Sequence, residues 1–295
     1  MSAPRISMKL PRFGVFGFLD GLGAAETIDL ARSIETLGYG VLWTVEALGR
    51  DAYAHAGHLL AATKSLVVGS GVASIWTRTA AQAMSAARTH AEASGGRFVL
   101  GLGVNNAMSG TVRGFEYRKP VSAMRDYLTQ MREAAYSAPG ATDPPVVLAA
   151  LQPRMMELAA QEADGILTYF VTPDHTRRAH VRLGTKAVCV EQAVMLETDA
   201  AKARAAAREY MRFYVQTIPV YQTHLRSLGF DDADFANDLS DRLVDAIVAW
   251  GTPERIRARL QEHFDAGACH VCILPLSVTG GTAPDRRTLE ALAPR

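Results

Sequence analysis

The sequence is short of cysteine, of charge imbalance and of long apolar runs. Its three cysteines, Cys189, Cys269 and Cys272, cannot form a fully paired disulfide framework and are typical of a reducing compartment. Lys and Arg number 31 against 30 Asp and Glu, a net charge of +1, so neither a nucleic-acid nor a membrane partner is predicted. The apolar patch at residues 13–19 is too brief to span a membrane. We therefore expect a cytoplasmic protein.

Recognisable metal and redox motifs are also missing. Cys269 and Cys272 have CxxC spacing, but they lie in an apolar run that is typical of a strand rather than of a helix start. A zinc site would need a second ligand pair, and none of the eight histidines belongs to an HExxH motif. We expect buried structural thiols and no metal site.

Two nucleotide-binding classes are disfavoured by the glycine pattern. Gly101-Leu102-Gly103 begins like a dinucleotide fingerprint, but Asn106 stands where the third glycine should be. The sequence contains no Walker A pattern. A Rossmann site and ordinary P-loop chemistry are therefore not expected.

What the sequence does contain is a repeated alternation of short Val, Ile, Leu and Gly runs with alanine-rich amphipathic segments. Such alternation predicts parallel strands joined by helices, and eight strands close a barrel. The predicted strands are Phe13 to Gly17, Tyr39 to Thr44, Leu66 to Ala73, Phe98 to Gly103, Val146 to Ala149, Gly165 to Thr168, Ala187 to Leu196 and His270 to Pro275. The expected fold is a (β/α)8 TIM barrel in the α/β class, with its active site at the carboxyl ends of the strands.

The domain organisation follows from the same pattern. A barrel of this kind accommodates 295 residues as one domain, so we predict a single domain over residues 1–295. Asp199 and Thr252 stand where helix caps are expected, and Gly267 follows a predicted helix. The stretch from about 213 to 250 is too long for a simple loop and is interpreted as an insertion in the active-site wall.

Three stretches, in the same order along the chain, resemble the luciferase-like monooxygenase superfamily. They are Leu37-Gly38-Tyr39-Gly40-Val41-Leu42-Trp43-Thr44-Val45-Glu46-Ala47, Gly71-Val72-Ala73-Ser74-Ile75-Trp76-Thr77-Arg78 and Gly96-Arg97-Phe98-Val99-Leu100-Gly101-Leu102-Gly103-Val104. The likeness extends to Gly251-Thr252-Pro253-Glu254-Arg255-Ile256 and so covers nearly the whole chain. The Glu-Ala pair and the Gly-Arg-Phe strand are most similar to the coenzyme F420-dependent oxidoreductase subgroup.

This resemblance implies an enzyme, an oxidoreductase that passes a hydride between the deazaflavin coenzyme F420 and a small organic substrate. Two alternatives stay open. One is a monooxygenase that uses the flavin FMN in the same barrel, and the other is a catalytically silent paralogue that only binds a cofactor. A homodimer is expected from the habit of the family.

By the same resemblance, Glu46 is the candidate catalytic residue, an acid-base group beside the reacting carbon. Its alternative role is to pair with an arginine such as Arg50 or Arg78. Asn106 stands where subgroup members more often have a histidine or glutamate. An amide cannot donate a proton near neutral pH, and this substitution motivates the silent alternative.

The resemblance also implies where a cofactor would bind. A bulge with a non-proline cis peptide is expected at Ser74 and Ile75, behind the cofactor ring. The full set of predicted cofactor-binding residues is Ala73, Ser74, Ile75, Asn105, Asn106, Ala149, Ala150, Leu151, Gln152, Thr168 and Tyr169. Arg154, Arg177 and Arg178 are expected near a polyglutamate tail. Phe18 and Trp76 are assigned to the substrate pocket, because ligand sites of this kind are largely apolar.

Overall fold

A computed structural model describes residues 8–140, 142–236 and 238–294 and contains one parallel sheet closed into a barrel. Its strands are β1 (Phe13–Gly17), β2 (Val41–Thr44), β3 (Val67–Ser70), β4 (Ala73–Ser74), β5 (Phe98–Gly103), β6 (Val146–Ala149), β7 (Gly165–Thr168), β8 (Ala187–Met195), β9 (Val248–Trp250) and β10 (His270–Pro275). β10 pairs with both β1 and β8, which closes a ring of eight strands. β4 continues the third position of the ring, and β9 adds to the end of β8.

The predicted (β/α)8 barrel is therefore confirmed, and five of the eight predicted strands have the bounds found in the structure. The third strand differs from its prediction, because it is interrupted after Ser70 and resumes at Ala73. A non-proline cis peptide joins Gly71 to Val72 within this interruption. The expected cis bend is thus present, but it precedes Ser74 and Ile75 rather than involving them.

Thirteen helices are found in the described part of the chain. They are α1 (Ala24–Thr36), α2 (Ala52–Ala62), α3 (Ala80–Ala93), α4 (Ala107–Arg113), α5 (Pro120–Glu133), α6 (Pro153–Glu162), α7 (Pro173–Leu183), α8 (Ala200–Thr217), α9 (Pro219–Ser227), α10 (Asp232–Phe235), α11 (Asp241–Ile247), α12 (Pro253–Asp265) and α13 (Arg286–Leu292). The caps predicted at Asp199 and Thr252 are confirmed, since their side chains accept backbone N–H groups of α8 and α12. Gly267 follows α12 with a φ of +102°, a conformation that favours glycine.

Side chains alternate along each strand between the barrel interior and the layer beneath the helices. Trp43 fills the interior and donates its indole N–H to Nε2 of His270 at 2.9 Å, while Nδ1 of His270 lies 2.6 Å from the carbonyl oxygen of Pro11. These two contacts make the imidazole neutral, with its proton on Nδ1, and burial lowers its pKa to about 4. The lower half of the barrel is therefore packed with side chains.

The cysteines divide between the interior and the surface. Cys189 and Cys272 are buried, as predicted. Cys269 is exposed, so its predicted burial is wrong. The reason is positional: it precedes β10 at the amino-terminal rim of the barrel, where a side chain can reach solvent.

Residues 213–250 contain the last turn of α8, the helices α9 to α11 and β9. Apolar side chains of these elements, including Val215, Leu225 and Trp250, form a core with Phe170 at the exit of β7. This core holds α8 and α9 over the carboxyl ends of β7 and β8. The single-domain organisation and the role of this segment as an insertion stay predictions.

Glu35, in the last turn of α1, organises the start of β3. Its Oε1 accepts hydrogen bonds from the backbone N–H groups of Lys64, Ser65 and Leu66 and from the Ser65 hydroxyl, at 2.6 to 2.9 Å. Although desolvation opposes them, these bonds lower the pKa of Glu35 to about 2.

We expect Glu35→Gln to lower the free energy of unfolding at pH 7 by about 1 to 2 kcal/mol, a value discounted for solvent screening. Because the folded-state pKa lies below the unfolded one, this contribution is complete above about pH 4.5 and is lost as the pH falls towards about 2. Urea unfolding of both proteins across this range measures it. Glu133→Gln, an exposed change at the end of α5, is the control. A difference that stays constant with pH would contradict the assignment.

Candidate active site

The carboxyl ends of the barrel strands carry a ring of polar and aromatic side chains, as expected for a fold of this kind. Glu46 follows β2, Ser74 ends β4, Asn105 follows β5, Gln152 follows β6 and Tyr169 follows β7. These are positions predicted from the sequence, and the barrel brings all of them to one face of the molecule. Their individual roles in binding and catalysis stay predictions.

Glu46 is buried and connects three elements of this face. Its Oε2 accepts the backbone N–H of Ser74 at 2.7 Å, and its Oε1 accepts the Thr77 hydroxyl at 3.2 Å. Arg113, at the end of α4, donates to Oε1 at 3.2 Å and to the Glu46 carbonyl oxygen at 3.0 Å. Both carboxylate oxygens thus have partners, and the ion pair lies in a protected site because only 7% of the Glu46 side chain is exposed.

The arginine partner of Glu46 differs from the candidates considered in the sequence. Arg78 pairs with Asp51, the N-cap residue of α2, and Arg50 donates to the carbonyl oxygen of Leu22. The partner is Arg113, which is 67 residues away along the chain and belongs to a helix that the sequence pattern did not reveal. Nothing in the local sequence around Glu46 indicates this pairing.

The segment after the cis peptide is held firmly in place. Ala73 and Ser74 pair with β5, and the Ile75 N–H donates to the Gly103 carbonyl at 3.1 Å. Trp76 donates its indole N–H to the Val104 carbonyl at 2.7 Å. Together these bonds fix a stretch of backbone at the mouth of the barrel, the opening at the carboxyl ends of its strands.

Trp76 and Phe18, the two predicted pocket residues, lie on different sides of this face. Trp76 stacks on Phe115 with the ring planes 15° apart and the centroids 5.7 Å apart. Phe18 packs edge-on against Phe16 and Tyr169. Both rings are partly exposed, so both can contact a ligand.

Asn105 and Asn106 have different surroundings. Asn105 has a φ of +52°, a left-handed conformation that asparagine tolerates better than most residues. Asn106 caps α4, with its Oδ1 accepting the Ser109 N–H at 2.9 Å. Asn106 therefore contributes to the local fold, and only its amide nitrogen is left to reach a ligand.

The residues after β6 lead into the amino terminus of α6. Ala150 is buried, Leu151 and Gln152 are partly exposed, and Pro153 begins the helix. Gln152 is the N-cap residue but its side chain makes no capping bond, and the first turn carries no acidic residue. Backbone N–H groups at such a helix end attract anions. The start of α7 is less suitable, since Thr172 caps it and Asp174 lies in its first turn.

Three of the other residues predicted to lie near a cofactor, Thr168, Arg177 and Arg178, already have partners within the protein. Thr168 is buried and donates to the Cys189 carbonyl at 3.4 Å. Arg177 and Arg178 are exposed and pair with Asp174, while Arg154 is an exposed residue in the first turn of α6. Of the three arginines considered for a tail, Arg154 lies closest to the uncapped helix end.

Unsatisfied polar atoms mark the same face. Among the buried side-chain atoms without a hydrogen-bond partner in the described residues, three lie at or beyond strand ends: Oγ1 of Thr44, Oδ1 of Asn105 and Nε2 of Gln152. A fourth, Oε1 of Glu191, lies within β8, and others, such as the ring nitrogens of His224, lie on helices. Buried polar atoms are normally paired, so an unpaired set at one face indicates partners supplied by a ligand. Donors and acceptors beside a fixed backbone segment fit a planar ring system with polar edges and a phosphate-bearing side chain.

Within the ranges that the structure describes, no group of His, Cys, Asp and Glu side chains could hold a metal ion. In the same part of the chain, no helix combines the length and apolar character that crossing a membrane requires.

Comparison with known proteins places the chain in a family. It matches the luciferase-like monooxygenase family over residues 12–270 and therefore belongs to that family. The predicted resemblance is confirmed.

Relatives and solved structures agree with this assignment. The chain is 27% identical over 288 residues to a 5,10-methylenetetrahydromethanopterin reductase of Methanolobus tindarius, covering 82% of this chain and 87% of the relative. It is 24% identical over 330 residues to a proposed coenzyme F420-dependent oxidoreductase of Mycobacterium tuberculosis, covering 90% and 93%. The F420-dependent tetrahydromethanopterin reductase of Methanopyrus kandleri superposes with a TM-score of 0.76 at 17% identity, covering 97% and 98%, which shows the shared fold.

Removing the guanidinium from the Glu46 pair is expected to destabilise the protein. Arg113→Met leaves a buried carboxylate without its cation, and we expect a loss of about 3 kcal/mol in unfolding free energy. The double variant Glu46→Gln, Arg113→Met removes the uncompensated charge and should recover part of this loss. Denaturant unfolding of Arg113→Met, Glu46→Gln and the double variant, each compared with the parent protein, measures these effects.

Arg118→Met is the matched control, because Arg118 pairs with Glu116 while both side chains are largely exposed. Its effect should stay below about 0.5 kcal/mol. Equal effects of Arg113→Met and Arg118→Met would show that the Glu46 pair does not hold this face together.

Proposed function

We propose that this protein is an F420-dependent oxidoreductase, which passes a hydride between the deazaflavin and a small organic substrate at the carboxyl-terminal mouth of the barrel. The observation that carries the proposal is the ring of unpaired polar atoms beside the fixed segment Ala73 to Ile75. The name of its Mycobacterium tuberculosis relative supports F420 as the cofactor. When bound, F420 supplies two-electron hydride chemistry at its ring, and the protein positions and tunes it.

The chain provides three separate means of holding such a cofactor. The backbone of Ala73, Ser74 and Ile75 gives the ring a rigid support, because it is bonded to β5 on one side and to Glu46 on the other. Asn105 faces the mouth with an unpaired amide oxygen that can accept a hydrogen bond from a ring N–H. The amino terminus of α6 receives the phosphate, with Gln152 and Ala149 to Leu151 beside it.

Glu46 stays the proposed acid-base residue, and its contacts give it a positioning role as well. Its hydrogen bond to Ser74 fixes the ring support, and Arg113 holds its carboxylate in one orientation. Any proton that Glu46 moves must therefore pass through an oxygen that already accepts a bond. The homodimer and the cytoplasmic location belong to the same proposal as expectations.

Cofactor titration tests the proposal directly. We expect purified protein to bind F420 about tenfold or more tightly than FMN, as measured by quenching of deazaflavin and flavin fluorescence. Tight FMN binding with no F420 binding would contradict it and favour the monooxygenase alternative. Binding of F420 without turnover of any substrate would favour the silent paralogue.

A charge placed at the start of α6 tests the phosphate position. Gln152→Glu should weaken F420 binding by about tenfold, because a carboxylate at the N-cap repels the phosphate. The same carboxylate interacts favourably with the helix dipole, so the melting temperature should not fall. Gln161→Glu, the same change at the far end of α6, is the control and should leave binding unchanged. If both variants bind F420 like the parent protein, the phosphate does not lie at this helix end.

A further inference from the structure

A second buried carboxyl group, Glu191, lies across the mouth from Glu46 and has no ion-pair partner among the described residues. Along β8, Ala187 and Cys189 point into the barrel with Cys272, so Glu191 continues the interior row. The next residue, Gln192, faces outward and bonds to His263 of α12 at 2.9 Å. Glu191 is 1% exposed and lies within β8, with Ala193 and Met195 between it and the carboxyl end of the strand.

The hydrogen bonding of Glu191 is incomplete. Its Oε2 accepts the Phe170 N–H at 3.2 Å, in the left-handed bend at which β7 ends. Its Oε1 has no partner anywhere in the described ranges. Glu46 differs in this respect, since an arginine and two further donors satisfy its oxygens. A buried oxygen without a partner costs free energy unless a ligand completes it.

Four tyrosines form a wall around this carboxyl group. Tyr169 follows β7, Tyr210 and Tyr214 belong to α8, and Tyr221 belongs to α9. The Tyr169 hydroxyl bonds to those of Tyr210 at 2.7 Å and Tyr214 at 2.9 Å. All four residues are partly exposed. We call Glu191 and these four residues the tyrosine cluster.

The cluster contains no cation. Among the described residues, the four tyrosines and Cys272 are titratable groups whose pKa the charge of Glu191 would raise. Burial raises the pKa of Glu191 to about 8, and the Phe170 N–H opposes this rise only in part. Burial also raises the pKa of each tyrosine. At neutral pH the cluster is therefore uncharged, and its free carboxyl group can act as a hydrogen-bond donor.

We propose that the tyrosine cluster is the substrate-binding site, and that Glu191 binds the carbonyl or hydroxyl oxygen of an uncharged, largely apolar substrate. This assignment rests on the proposed function, because it places the substrate opposite the cofactor support. Aromatic rings surround the apolar part of the substrate, and the carboxyl group fixes the polar end. A carboxylate or phosphate substrate is rejected, since the site offers it no cation and would have to desolvate its charge.

The test uses cyclohexanone as a neutral probe and cyclohexanecarboxylate as its charged counterpart, with Kd values from ligand-observed NMR. The parent protein should bind the ketone and not the carboxylate. Glu191→Leu removes the donor without adding a charge and should weaken ketone binding by about tenfold. Glu191→Gln keeps a donor of the same shape and should stay within about threefold of the parent protein. Melting temperatures show that both variants are folded.

The pH dependence provides an independent readout. Ketone binding requires the protonated carboxyl group, so it should be complete well below pH 8 and be lost as the pH rises through about 8. Glu191→Gln should show no such loss over this range. No ketone binding by the parent protein, equal binding by Glu191→Leu and Glu191→Gln, or tighter binding of the carboxylate would each overturn the proposal.

Cofactor binding is measured on the same samples, so the two proposals fail separately. If F420 binds all three proteins and the ketone results contradict expectation, only the substrate site is wrong. If F420 binds none of them, the proposed function fails, while the comparison of Glu191→Leu with Glu191→Gln still decides whether Glu191 recognises neutral oxygen.

Discussion

The carboxylate of Glu46 is the contact on which the geometry of the candidate site depends. It lies just after β2, accepts the backbone N–H of Ser74 at the end of β4 and pairs with Arg113 at the end of α4. Parallel strands bring their carboxyl ends to one face, but they do not by themselves fix the loops that follow. A buried charge-assisted bond does so, because breaking it leaves an uncompensated charge in a protected site. The cofactor support is rigid as a consequence.

The two sides of the mouth are built from different chemistry. On the Glu46 side, a carboxylate is ion-paired and bonded to backbone, which favours fixed positioning. On the Glu191 side, a carboxyl group is surrounded by tyrosines without a cation, which favours contact with a neutral, partly apolar molecule. We infer that the Glu46 side holds the cofactor and that the Glu191 side selects the substrate.

Much of the fold could be predicted because its signals are local. The strand at Phe98–Gly103 and the cap at Asp199 depend on residues within a few positions of one another, and the structure reproduces both. The exposure of Cys269 was mispredicted, because its burial was inferred from the residue type and from the neighbouring apolar run, although the residue precedes the strand. The interruption of the third strand at Gly71 was likewise placed a few residues too late, since the sequence of this stretch does not mark the position of the bend.

The site was less predictable, because its decisive contacts are distant in sequence. Arg113 meets Glu46 across 67 residues, and no local pattern distinguishes it from Arg78 or Arg50. Glu191 could have been noticed as the one acidic residue in the apolar strand Ala187–Met195, a placement that is costly unless it has a function. Three of its four tyrosine neighbours come from α8 and α9, whose packing over β8 depends on the whole fold.

The most direct test of the cofactor position is a crystal structure of the protein soaked with F420. We expect the deazaflavin ring to lie against Ala73 to Ile75, with the phosphate of the cofactor at the start of α6 and the open face of the ring towards Glu191. A ring bound elsewhere, or lying against Tyr210, Tyr214 and Tyr221 instead, would contradict this expectation.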